Sequence, residues 1–310
     1  MTNNSSATVD NPSVLSPSRA GLWWGLLGVT SFSFTVPFTR VAVADSGMTP
    51  LFAGCGRAVV AAVLAALALV CTRQRLPRGI QWARLGIVAG GVVVGFPVLT
   101  SFALTTASAG HSAVVIALLP AVTAVAAVLR GHERPPRSFW CMAAVGAVVT
   151  LGFAALQGGG LGGLHWSDLL LLGAVAAAGI GYAEGGLLAR ELGAWQTISW
   201  ALVLAAPPMT ALTGYAVAEH PPTGTPTEWA AFGYLAVVSM FLGYFAWYRG
   251  LALGPISQVS QIQLAQPVLG LAWAALFLNE RLTWPLALGG LAVLASAAGA
   301  VRTRLGGGRR

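Results

Sequence analysis

A few side chains in this sequence carry charge or hydrogen-bonding groups into stretches that are otherwise apolar, and each suggests a chemistry. Glu184, set in GIGYAEGG, is the one acid placed clearly inside an apolar run, where an unpaired carboxylate is costly and usually functional. Its neighbours Gly179, Gly181, Gly185 and Gly186 permit close helix approach or a local break that opens onto a cavity. Two roles fit it: binding a substrate ammonium or a coupling proton, or serving as a structural carboxylate bonded to a neighbouring helix. Arg57 lies roughly 12 Å inside its run at 1.5 Å per residue. A guanidinium at that depth either clamps a substrate carboxylate through two parallel bonds or is held by helix carbonyls and the interface. His111 either relays a proton or is a hydrogen-bonded histidine at a helix end.

Amides and rings complete the set. Gln258, Gln261, Gln263 and Gln266 fall in one run, and such a density of amides must face protein or water rather than lipid. On an ideal helix they spread over about 200°, so one pair meets substrate and the other a neighbouring helix. Tyr182, beside Glu184, and Tyr244 are the aromatic candidates for a cavity wall, whereas Trp82, Trp166, Trp195, Trp229 and Trp284 at run ends read as an interfacial belt. The candidate substrate-binding or coupling residues are therefore Glu184, Tyr182, Arg57, His111, Gln258, Gln261 and Tyr244, with Pro120 and Pro267 as hinges or as points of static curvature. Cys55, Cys71 and Cys141 have no close pairing suited to a metal or disulfide framework, so no metal and no cofactor are expected. No HExxH, GxSxG or Walker loop is present, and the chain contains no Lys, which argues against an enzyme.

The elements that must position these residues follow from composition. Of 310 residues only 8% are charged and 56% are apolar, with a mean hydropathy of +0.75. Soluble domains carry about 25% charge, so the expected class is an all-α polytopic membrane protein with the lipid bilayer as solvent. The net charge of +8 and pI of 10.4 would suit nucleic acid, but the arginines lie in short loops between apolar runs, as positive-inside loops do. No nucleic-acid partner is expected. At about 20 residues per crossing the chain divides into ten transmembrane helices: 22–43, 51–71, 85–103, 110–129, 139–155, 169–188, 195–217, 229–247, 257–278 and 284–301. This division puts fourteen of seventeen basic residues on one side, which predicts a multi-pass protein of the cytoplasmic membrane with both termini cytoplasmic. Residues 1–20 are a polar tail expected to be disordered, and residues 303–310 are a second cytoplasmic tail.

A shift of 147 residues superposes Pro120 on Pro267, Glu133-Arg134 on Glu280-Arg281, Trp82 on Trp229, Gly86 on Gly233 and His111 on Gln258. The two repeats span 21–157 and 168–302. Five helices per repeat is an odd number, so the second repeat enters the membrane inverted, an arrangement used by secondary transporters.

Here a resemblance can be stated. The segments FSFTVPFTRVAVADSGMTP, GCGRAVVAAVLAAL, ALLPAVTAVAAVLRGHERP, GYAEGGLLARELGAWQTISWALVLAAP and YRGLALGPISQVSQIQLAQPVLGLAWAALFLNERL are similar to the drug/metabolite transporter superfamily, in its EamA type. The resemblance implies ten helices in two EamA repeats, a central cavity, and movement of small metabolites without ATP. The expected function is a secondary transporter that exports an amino acid, a related metabolite or an amphiphilic drug-like solute by alternating access. The alternatives are a proton- or sodium-coupled importer and, from a different class, an intramembrane enzyme. The expected partners are a small-molecule substrate and the lipid bilayer, with protons one candidate for a coupling ion, and with the coupling ion and the oligomeric state left open.

Overall fold

The computed structural model describes residues 19–44, 47–131 and 165–278, with isolated helical positions between 137 and 148 and between 284 and 295. The expected fifth and tenth helices, the Glu133-Arg134 and Glu280-Arg281 pairs and both tails lie wholly or mostly outside the described residues. The described residues form helices joined by short turns and loops, and among them there is no strand.

Six segments are long and apolar enough to cross a membrane: Ala20–Val43, Pro50–Cys71, Ile80–Ala103, Trp166–Leu192, Ala194–Glu219 and Pro226–Leu253. The first comprises α1 (Arg19–Ser33) and α2 (Thr35–Ala44), and the second is α3 (Pro50–Cys71). The third consists of α4 (Ile80–Val88), a π-helical stretch Ala89–Gly95 and α5 (Phe96–Ala103). A shorter broken segment follows as α6 (Ala109–Ile116) and α7 (Leu119–Gly131). Beyond it come α8 (Trp166–Leu192) and α9 (Ala194–Glu219), then α10 (Pro226–Tyr234), a second π-helical stretch Leu235–Leu242 and α11 (Gly243–Leu253). The last described segment is α12 (Ile256–Val259), a 3₁₀ stretch Ser260–Leu264 and α13 (Ala265–Leu278). Expected boundaries move in two places. The third span begins at Ile80 rather than Leu85, which draws Arg84 into the helix, and the eighth runs on to Leu253.

Local sequence sets the starts. Thr49 caps α3 by accepting a hydrogen bond from the Phe52 amide (3.1 Å), with Pro50 in the first turn. Thr225 and Glu228 form a capping box on α10, with Pro226 at its first position. In each case a proline occupies a position whose N–H would lack an intrahelical partner anyway.

Proline also accounts for most of the mid-helix irregularity. It removes one N–H and its ring clashes with the carbonyl four residues back. Four residues before Pro37 is Ser33, the last residue of α1. The corresponding residue for Pro97 is Val93, inside the first π-helical stretch. For Pro120 it is Ile116, where α6 ends, and for Pro267 it is Gln263, inside the 3₁₀ stretch. The expected hinges at Pro120 and Pro267 thus coincide with real breaks, and two further breaks accompany them.

Helix α8 is the hub, packing against α4, α5, α7, α9 and α11, while α3 runs along α9 and α1 along α11. Where α1 meets α11 the backbones nearly touch: a Cβ on Gly250 would come within 2.7 Å of the Gly25 nitrogen and 2.9 Å of the Gly21 carbonyl. This is the small-residue contact expected where lipid offers no hydrophobic drive between helices. Trp23, Leu27, Val63, Leu67 and Val70 point outward, as lipid-facing residues should. Gly250→Val should therefore destabilise the bundle by roughly 1–3 kcal/mol through overpacking, read as a lower melting midpoint in detergent. Gly86→Ala, whose Cβ meets nothing within 4 Å, should leave the midpoint unchanged or raise it slightly.

Candidate functional site

A cavity lies at mid-depth in the bundle, lined by Phe32 and Thr35 from α1 and α2, Arg57 from α3, Val92, Phe96 and Pro97 from the third span, Tyr182 from α8, Ser239, Met240 and Tyr244 from the eighth span, and Gln266 from α13. Its free volume is about 20 Å³, little more than one ordered water needs. The lining comes from irregular backbone. The break between α1 and α2 delivers Phe32 and Thr35, the two π-helical stretches deliver Val92, Ser239 and Met240, and α13 follows the 3₁₀ stretch. Insertions of the π type re-aim side chains and recur at functional sites.

The lining repeats. Under the 147-residue shift Thr35 falls on Tyr182, Val92 on Ser239 and Pro97 on Tyr244. The π-helical stretches, Ala89–Gly95 and Leu235–Leu242, superpose to within a residue, as do the breaks before Pro120 and Pro267. The two halves thus meet at the cavity through equivalent positions.

Arg57 breaks that symmetry. Its counterpart is Leu204, which is partly exposed on the outside of the bundle, whereas Arg57 is 1% exposed. Its guanidinium donates to the Thr39 hydroxyl at 3.3 Å and the Thr100 hydroxyl at 3.5 Å, both long, and its Nε has no partner. Every described acid is engaged elsewhere or lies at a helix end, and the ion pairs among described residues do not include Arg57. An uncompensated buried charge is expensive.

Opposite it stands an aromatic wall. Phe32 packs on Tyr244 with ring centroids 4.9 Å apart, and Tyr182 lies 6.1 Å from Tyr244 and 5.4 Å from Trp247. Thr35 and Ser239 share a hydrogen bond of 2.7 Å across the two repeats. Gln266 donates to the Phe32 carbonyl at 3.4 Å and accepts from Gln263 at 3.3 Å.

Of the residues singled out in the sequence, Arg57, Tyr182, Tyr244 and Gln266 meet at this cavity. Glu184 does not. It points from the other face of α8 to one end of the bundle, where it accepts from Arg84 of α4 and, at 2.8 Å, from Arg130 of α7. Arg84 also bonds Glu191, so one carboxylate ties three spans together. Arg190 adds bonds to the Leu251 and Gly254 carbonyls at the same end. His111 sits at the opposite end, 2.7 Å from Asp168 of α8, beside a larger open pocket that also includes Thr105 and His165. Arg40 bonds the Leu104 and Thr105 carbonyls at that end (2.6 and 2.9 Å). Gln261 is buried and donates to the Ser257 carbonyl of its own helix at 3.3 Å, while Gln258 belongs to α12, with its side chain outside the described residues. Sequence reasoning missed Thr35 and Ser239 on the cavity and Arg84 and Arg130 on Glu184. Arg84 carried a signal, since it stands one turn inside the helix that begins at Ile80, whereas Arg130 directly follows the apolar run and lies one residue before the end of α7.

The site takes one buried cation, an aromatic wall and a few hydroxyl and amide groups, and holds no nucleophile–base pair. Comparison with known proteins adds the identity of the fold. The EamA-like transporter family model matches twice, at residues 19–155 and 165–302. The uncharacterized transporter YdeK of Bacillus subtilis (strain 168) is 43% identical over 286 residues, covering 90% of this chain and 96% of that protein. A crystal structure of a protein with 18% identity superposes at a TM-score of 0.64, over 92% of this chain and 99% of the other, a likeness of fold alone.

The Glu184 cluster gives a testable consequence. Glu184→Gln removes the charge that Arg84 and Arg130 share, at a cost of about 2 kcal/mol given that Arg130 is half in solvent. In a background with the native cysteines replaced, a cysteine substituted for buried Ala127 should react with maleimide several-fold faster in the Glu184→Gln protein. Unchanged labelling with an unchanged melting midpoint would show that the cluster does not hold this end shut.

Proposed function

The chain belongs to the EamA-like transporter family, within the drug/metabolite transporter superfamily, and from that premise we propose that it is a secondary transporter exporting a small metabolite across the cytoplasmic membrane by alternating access. Ten transmembrane helices form two inverted five-helix repeats, with both termini cytoplasmic. The observation that supports this best is the cavity whose lining comes from equivalent positions of the two repeats. A site on the pseudo-symmetry axis presents similar walls to either side, so the halves can exchange conformations around one bound solute.

The two ends then act as gates. The Arg84–Glu184–Arg130 cluster closes the cytoplasmic end, and the Arg40 and His111–Asp168 contacts close the outer end. In this reading Glu184 acts by pairing with arginine rather than by touching substrate. The proline-associated breaks supply the bending points. Each leaves main-chain groups to be re-satisfied locally, at a cost membrane helices accept only where protein or a cavity surrounds them. No residue of the cavity is asked to make or break a covalent bond, so no enzymatic step is assigned.

The test is metabolite release. Cells overexpressing the protein should enrich at least one solute outside relative to cells carrying Ser239→Leu at matched membrane abundance, because leucine fills the small cavity and removes the Thr35 bond. Depletion of a solute from the medium instead would reverse the direction to import. Equal profiles from both cell lines would remove the cavity from the transport path.

A further inference from the structure

We infer that the central cavity, closed to about 20 Å³ in this conformation and wider once the bundle opens, is selective for organic anions, and that its ligand is a small monocarboxylate with an apolar or aromatic body whose carboxylate docks on Arg57. This deepens the transporter reading given above and rests on it.

The argument begins with an imbalance. Arg57 offers five N–H donors in a planar fork, and the protein supplies only two long bonds from hydroxyl partners, with Nε facing no acceptor. The hydroxyl of Thr100 is already committed as a donor to the Phe96 carbonyl at 2.6 Å, so it is a satisfied structural group and not a free arm of the site. The partly buried Arg84 is treated differently. More exposed than Arg57, it is given two carboxylates. The sequence therefore contains the means to neutralise a membrane-embedded guanidinium and applies it at the end of the bundle, while leaving the one at the centre without a counter-charge among described residues. A fork of that geometry is complementary to a carboxylate.

The rest of the cavity sets what the carboxylate is attached to. Phe32, Tyr182, Met240 and Tyr244 give an apolar, largely aromatic wall, and Thr35, Ser239 and Gln266 give neutral polar groups. Among the described residues the lining holds no acid to receive an ammonium, and Glu184 faces Arg84 and Arg130. A substrate cation would meet the unneutralised field of Arg57 at close range in a medium of low dielectric, where like charges repel strongly. The site therefore rejects amines and amphiphilic cations. A neutral amide gains only ordinary hydrogen bonds and leaves the Arg57 charge uncompensated.

The inference is tested by thermal unfolding of the purified protein in lipid nanodiscs, with three matched sets of probes. The carboxylates are acetate, isovalerate and phenylacetate, each set beside its primary amide and its amine of similar shape. Isovalerate and phenylacetate should raise the wild-type midpoint by several degrees through ligand linkage, with acetate weaker because it lacks a body, and amides and amines should have no effect. Arg57→Met should raise the ligand-free midpoint above wild type, because an unpaired buried charge is replaced by an apolar side chain of similar length, and should abolish every carboxylate response. Arg57→Lys should keep a reduced response, which guards against a folding defect in the methionine variant. Stabilisation by amines or amides equal to that by carboxylates would overturn the inference. So would a carboxylate response that survives in Arg57→Met, a lower ligand-free midpoint in that variant, or no response to any carboxylate. The cavity-filling test of transport uses no assumption about charge, so a protein that exports only amines through the Ser239 cavity would keep the transporter reading and lose the anion site.

Discussion

The structure depends on one constraint: within lipid, a main-chain N–H or carbonyl that leaves its helix must find another partner, so irregular backbone survives only where protein encloses it. Pro37, Pro97, Pro120 and Pro267 each break that rule locally by deleting a donor. The ends of α1 and α6, the π-helical stretch Ala89–Gly95 and the 3₁₀ stretch Ser260–Leu264 are the results. Because lipid cannot receive those carbonyls, the broken segments turn inward and surround the centre of the bundle. The breaks beside Pro37 and Pro97 thus help to line the central cavity, whereas Pro207 and Pro208 are exposed within the unbroken α9. The second π-helical stretch, Leu235–Leu242, has no proline at its end; Gly243 follows it, packed so closely that a Cβ would meet Phe32 at 2.9 Å and the Val238 carbonyl at 3.0 Å. There the close approach of the first span takes the place that a pyrrolidine ring holds in the other repeat.

Duplication explains why the walls match, and departures from it explain what the protein adds. Thr35 opposite Tyr182, Val92 opposite Ser239 and Pro97 opposite Tyr244 keep position while exchanging side-chain chemistry. The first repeat contributes Phe32, Phe96 and the cation Arg57, and the second contributes Tyr182, Tyr244 and the amide of Gln266, so each wall differs in chemistry from its partner. The Thr35–Ser239 bond joins the two across the axis. Charge follows no such pairing: Arg57 corresponds to Leu204 and Glu184 to Pro37. The position equivalent to Arg57 lies on the outside of the bundle, so the cavity holds this charge once.

Much of the fold was legible in the sequence because lipid makes composition decisive. The membrane class, the positions of six spans and the two-fold repeat followed from run lengths, arginine placement and the 147-residue spacing. The site was legible only in part, and the reasons are geometric. The reading of the amides assumed 100° per residue throughout, but Ser260–Leu264 is a 3₁₀ turn at three residues per turn. Five residues at the tighter pitch rotate everything after them by roughly 100° relative to an ideal helix, which carries Gln266 onto the cavity and leaves Gln261 bonded to its own helix. Arg84 was hidden for another reason. Positive-inside reasoning assigns any arginine next to an apolar run to the loop, and the helix in fact begins at Ile80.

The two membrane-embedded charges illustrate how the same cost can be met in opposite ways. Glu184 is 1% exposed and sits between two arginines, so its desolvation is offset by partners on separate spans, and the pair energy is available only while those spans stay together. That makes it suited to hold an end closed. Arg57 is equally buried but is left with two distant hydroxyls, so its desolvation is not offset within the described protein. A group in that condition stabilises whatever arrangement brings it an anion, and a solute that does so lowers the energy of the enclosed form more than that of a form in which water reaches Arg57. In the proposed reading the unpaired charge favours closure around cargo and the paired charge resists opening at the end, so selectivity and gating rest on two separate charges, Arg57 of α3 at the cavity and Glu184 of α8 at the end of the bundle.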